Sequence, residues 1–141
     1  MVLLAFASVG GASGCGSDSS ASSSLSKKEF VKRANRLCVD TEFEQLGQAQ
    51  KYSSKHPKAE EADLIRPALV PTLKKEIEEL EALGSPAGDE GELEAIFRAL
   101  QKGIEGAESD PASVIKPKTN PFNEANKLAT AYGIGDCGRN P

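Results

Sequence analysis

Apolar positions recurring at three- and four-residue spacing divide most of this chain into helices. Phe30, Ala34, Leu37, Cys38 and Thr41 share one helical face, while Glu29, Lys32, Arg33, Arg36 and Asp40 fall mostly away from it. Ser26 and Glu29 have the spacing of a capping box, and Leu25 and Phe30 that of a hydrophobic staple, so a helix is expected to start here. Phe43 and Leu46 widen its apolar surface, and the helix should fade by Ser53 to Pro57.

The next stretch, Glu60 to Leu83, contains Pro67 and Pro71. Each removes a backbone donor and disfavours helix in the residue before it, so a kink or a split into two pieces is expected. Leu73, Ile77, Leu80 and Leu83 then form a stripe that Gly84 and Pro86 should stop, with Glu76, Glu78, Glu79 and Glu81 read as the opposite, solvated side. Asp89 with Glu92 offers a second cap. Leu93, Ile96, Phe97, Leu100, Ile104 and Ala107 follow as the most regular stripe in the chain.

Asp110-Pro111 ends that run and opens a short turn through Ile115, and Lys116-Pro117-Lys118-Thr119 is expected to be an extended connection. Asn120-Pro121 places a cap residue before a proline at the first helical position. A last helix should follow with Phe122, Ala125, Leu128, Ala129 and Tyr132 inward, Gly133 just past its end and Ile134 folded back onto it. No alternating strand pattern or internal repeat is visible. The expected fold is therefore all-α: a small, monomeric, four-helix bundle-like domain spanning residues 26–141.

Composition supports that reading and removes some functions. Aromatic residues make up 5% of the chain and Trp is absent, which favours packed helices over strands. The net charge of -4 gives no broad attraction to nucleic acid, so no nucleic-acid partner is expected. Lys27, Lys28, Lys32, Arg33 and Arg36 do cluster, but with apolar residues between them, as on a solvated helix face.

The N-terminus reads as an address. Met1 to Val9 is small and apolar, too short to cross about 30 Å of hydrocarbon but long enough for the apolar core of a signal peptide. It leads into Ala12-Ser13-Gly14-Cys15, which resembles the bacterial lipobox, with Ala12 where Leu is usual. That resemblance implies acylation of the Cys15 thiol by lipid of the palmitate type and cleavage of the bond before it. Residues 1–14 are then a signal peptide. No Lys or Arg precedes the apolar run, so the true translation start is expected upstream. Gly16 to Ser24 is a serine-rich tract unable to bury apolar surface, giving a tether over residues 15–25.

Three cysteines are an odd number for an exported chain. Lipidation consumes Cys15, leaving Cys38 on the inward face of the first helix and Cys137 after the last. In an up-down-up-down bundle the chain's end returns beside the first helix, so a disulfide between Cys38 and Cys137 is expected. It would close a loop of roughly 100 residues, worth up to about 4.7 kcal/mol in the chain-entropy account.

These features together resemble a recurrent type of small lipoprotein from high-GC Gram-positive bacteria. The matching segments are Ala12 to Cys15, Ala34 to Cys38, Val70-Pro71, Ser85 to Asp89, Asn120 to Phe122 and Tyr132 to Cys137. The resemblance implies a helical domain anchored on the outer face of the plasma membrane, and it carries no catalytic residues.

Catalytic motifs are absent from the sequence. His56, the one histidine, lies beside Pro57 in an expected exposed loop and cannot build a multi-histidine metal site. No phosphate-cradling loop, nucleophile elbow or Cys-x-x-Cys is present. Neither catalytic residues, metal nor cofactor is expected. The preferred function is a membrane-anchored binding module for a protein or a cell-envelope component. The alternatives are a cell-envelope enzyme using carboxylates in a crevice and a non-lipidated helical adaptor.

Overall fold

The computed structural model describes residues 25–138 and is helical throughout, with no strand among those residues. Helix α1 runs Lys27–Lys55, α2 Glu61–Leu64, α3 Val70–Ala82, α4 Glu90–Ser109, α5 Pro111–Val114 and α6 Asn123–Tyr132. A 3-10 turn, Gly135–Gly138, follows α6. The all-α expectation holds. No helix among the described residues is long and apolar enough to cross a membrane.

Helix α1 starts where its cap chemistry places it: Ser26 Oγ accepts the Glu29 backbone N–H at 3.2 Å. The reciprocal half of the box is missing, because the Glu29 carboxylate pairs with Arg33 at 3.0 Å. Phe30, Ala34, Cys38 and Thr41 are buried as the stripe requires. Phe43 and Leu46 are not part of that core. They are 69% and 60% exposed, having rotated past the edge of the inward face.

The two prolines do not end the second helical run, but its α-helix comes in two pieces, α2 and α3. Between α2 and α3 the chain widens into one π-helical turn, Ile65–Leu69, that seats Pro67 and closes with Val70 N–H bonding Ile65 O. A wider turn relieves the clash of a proline ring with the preceding carbonyls. The Thr72 hydroxyl, buried just beyond, donates to the carbonyl region of Ala68 and Leu69, 2.9 Å from each. Arg66 reaches across to the Glu108 carbonyl with Nε and Nη2 at 3.0 and 2.7 Å, satisfying an acceptor in the last turn of α4.

Helix α4 is the inner wall, burying Leu93, Ile96, Leu100, Ile104 and Ala107. Its cap differs from the expected box. Asp89 occupies the cap position but sends its carboxylate elsewhere, accepting the Tyr132 hydroxyl at 2.7 Å with the Lys27 ammonium 3.4 Å away. Lys27 also sits 4.1 Å above the Tyr132 ring, and Phe30 meets that ring edge-on at 6.0 Å. This cluster ties the starts of α1 and α4 to the end of α6.

Lys116 to Thr119 form a turn rather than an extended link. Pro117 sits where a β-turn favours it, and Thr119 N–H closes onto Lys116 O at 3.0 Å. Asn120 then acts before the helix instead of capping it. Its side chain donates to Val114 O at 2.7 Å and accepts Phe122 N–H at 2.9 Å, so α6 begins at Asn123. The bend lowers Pro121 and Phe122 into a notch on α4 left by Gly103 and Gly106. A β-carbon at Gly106 would stand 2.7 Å from Pro121, and one at Gly103 would strike the Phe122 ring.

At the far end Gly133 takes the left-handed conformation expected of it, with φ 110°. Ile134 folds back fully buried, its N–H bonding Ala129 O at 3.0 Å. Asn35 of α1 holds the segment that follows, donating to Gly133 O at 3.1 Å and accepting Asp136 N–H at 3.0 Å. Cys137 is thereby carried to α1 and bonded to Cys38, with Cα atoms 5.0 Å apart across a sequence separation of 99.

Candidate functional site

The disulfide lines a crevice where α1, α3, α4, α6 and the C-terminal turn converge. A cavity of about 60 Å³ opens there, bounded by Cys38, Leu69, Glu76, Leu100, Phe122 and Cys137, with Glu42 and Asp136 among its other lining groups. A volume on that scale holds a few waters, well short of the roughly 300 Å³ at which sites for organic ligands begin.

Glu76 defines the chemistry of this crevice. It was expected on the solvated side of α3 but is 4% exposed. Its spacing explains the difference: Glu76 follows Leu73 by three residues and precedes Leu80 by four, so it belongs to the inward stripe. Oε1 stands 3.6 Å from Cys38 Sγ. A disulfide sulfur has no proton to give, so a hydrogen bond across that gap must be donated by the carboxyl.

Burial pushes the Glu76 carboxyl up to about 7, the hydrogen bond from the Thr41 hydroxyl draws it partly back, and the Glu79 charge adds a smaller upward push. No Lys or Arg lines the cavity. The acid is therefore held in a form that is largely neutral in weakly acidic solution and divides between its two states near neutrality.

Ligand-type atoms of Cys38, Glu76 and Cys137 lie within 4.8 Å of one another. With the sulfurs joined to each other, this trio leaves one carboxyl as its free donor. Of the three cysteines singled out in the sequence, Cys38 and Cys137 meet as expected, and Cys15 lies outside the described residues. His56 is exposed and stacks on Tyr52, with ring centroids 4.1 Å apart, at the end of α1.

A second feature is the outer face of α1. Beside the exposed Leu46 a groove of about 220 Å³ runs between α1 and the α2 and π-helical segment, floored by Ala49, Leu64, Ile65 and Ala68. The charged residues along it are Glu42 and Glu61, both acidic. Comparison with known protein families, curated proteins and solved structures returned no match for this chain.

Proposed function

We propose that this chain is an extracytoplasmic lipoprotein, held on the outer face of the plasma membrane by acyl chains on Cys15, and that its helical domain is an interaction module rather than an enzyme. The anchoring is supported by the order of features in the sequence: apolar run, small residues before Cys15, then a serine-rich tract. The observation that carries the interaction reading is the exposure of Leu46 on the wall of an apolar groove, with Phe43 exposed one helical turn before it. Large apolar side chains left in water next to a concavity mark surfaces that partners cover.

Acidic groups at the groove select against an anionic lipid surface and in favour of a protein segment with an apolar anchor flanked by Lys or Arg. The Glu76 crevice is too small to enclose an organic substrate, which disfavours a conventional substrate pocket there.

The test is capture from crosslinked native membranes with the full-length chain and with Phe43→Ser/Leu46→Ser. The wild type should retain a discrete protein partner that the variant loses, with retention weakening as salt rises. An identical set of captured proteins from both chains would contradict the assignment of this face.

A further inference from the structure

A buried carboxyl beside a disulfide is not needed to hold the two helical ends together. An apolar side chain at position 76 would fill the same space without the cost of burying an acid, and no cation in the cavity offsets that cost. What Glu76 adds is a proton within reach of one sulfur. The two sulfurs are also unequal. Cys38 is 4% exposed and faces Glu76 Oε1, whereas Cys137 is half-buried in the terminal turn. An incoming group meets Cys137 first, and the sulfur that departs is the one beside the carboxyl.

We infer that the Cys38–Cys137 bond is a proton-coupled thiol–disulfide exchange site, in which a dithiol partner exchanges at Cys137 while Glu76 supplies a proton to, or removes it from, the Cys38 sulfur. In the reducing direction a thiolate of the partner attacks Cys137 Sγ and forms a mixed disulfide. The electron pair of the broken bond leaves on Cys38 Sγ, and the Glu76 proton moves to it, so the carboxyl becomes a carboxylate. The partner's second thiol loses its proton to water and attacks the partner's own sulfur in the mixed disulfide. Cys137 is released as a thiolate that takes a proton from solvent.

The partner dithiol is thereby oxidised to a disulfide and the Cys38–Cys137 pair reduced by two electrons and two protons, with Glu76 reprotonated from water. Oxidation runs the same steps backwards, Glu76 accepting the Cys38 thiol proton as that sulfur attacks. Stabilising the departing sulfur matters because exchange rates follow the ease with which the leaving thiolate is released.

The polar groups around Glu76 are consistent with this role. Thr41 of α1 hydrogen-bonds it and Glu79 lies one turn along α3, while Glu42 of α1, Asn126 of α6 and Asp136 of the terminal turn line the same cavity. The Glu79 charge and the burial that push the Glu76 carboxyl up also disfavour further negative charge beside it. Ionised Glu76 therefore opposes a thiolate at Cys38, and protonated Glu76 assists its departure.

The inference is independent of membrane anchoring and is tested on the purified chain. The rate of reduction by dithiothreitol is measured for wild type and Glu76→Gln between about pH 5.5 and pH 8.5, and the ratio of the two rates is taken at each pH so that titration of the reductant cancels. Because general acids contribute rate factors of about 100 or more, the wild type should be at least about tenfold faster near pH 6. That advantage should vanish, or reverse, by about pH 8.5, where the carboxyl is ionised. Glu78→Gln, which removes an exposed carboxylate of α3 outside the crevice, serves as the control and should keep the wild-type profile.

A ratio that does not change with pH overturns the proposal. Should Glu76→Gln fail to fold, carbon NMR of the Glu76 carboxyl in oxidised and reduced wild type decides the matter. A titration midpoint displaced between the two redox states supports coupling, and the same midpoint in both overturns it.

Discussion

Glu76 shows how one residue at helical spacing can change what a core does. Buried without a cation, its carboxyl titrates near 7 in the folded protein against an ordinary value near 4.5. A group whose folded pKa is raised contributes its full stability below the unfolded value and loses it as pH climbs through the folded value. Stability should therefore fall between about pH 4.5 and pH 7 and flatten above, by an amount on the order of 3 kcal/mol. Glu76→Gln keeps the shape and removes the titration. Urea unfolding at a series of pH values should show a decline over this window for the wild type and none for the variant, which should be the more stable of the two near pH 8. A parallel decline in both proteins would place the pH dependence elsewhere. The position was legible in the spacing from Leu73 and Leu80, but a run of four glutamates within six residues made the solvated face the simpler reading.

At the level of elements, the helical stripes of α1, α3, α4 and α6 were visible in the sequence because burial of one face imposes the spacing directly. The connections were not. Whether Pro67 breaks a helix or is seated in a π turn depends on what surrounds it, here the Thr72 hydroxyl bonding the carbonyls of Ala68 and Leu69. Asp89 likewise has the composition of a cap, yet the approach of Tyr132 and Lys27 from other elements redirects it. The notch on α4 has no counterpart in the stripe pattern, because a glycine inside a helical run signals low helix propensity and not what packs against it. The role of Gly103 and Gly106 makes a sharp prediction. Alanine for glycine within a helix ordinarily stabilises by about 1 kcal/mol. Gly47→Ala in α1, where a β-carbon meets nothing within 4 Å, should follow that rule. Gly103→Ala should instead destabilise by about 1–3 kcal/mol, because its β-carbon strikes the buried Phe122 ring and forces it to shift. Thermal melts of the two variants compare them directly, and equal stabilisation in both would show that the α4 notch is not tight.

Across the whole molecule, the C-terminal turn is the closing piece. Asn35 fixes its backbone, Ile134 fills the core beneath it, and Cys137 joins it covalently to α1. The turn thus completes both the bundle and the crevice that holds Glu76. The cysteine arithmetic that pointed to this bond also pointed to lipid on Cys15, since pairing two of three cysteines leaves the third to be explained. The two conclusions are tested together by intact-mass and peptide mass spectrometry of the full-length chain recovered from membranes without reductant. The account predicts a mature chain beginning at Cys15, heavier by the mass of its acyl chains, with Cys38 and Cys137 in one disulfide-linked peptide and no alkylatable thiol after denaturation. A chain that retains the residues before Cys15, with that cysteine alkylatable as a free thiol, would contradict it.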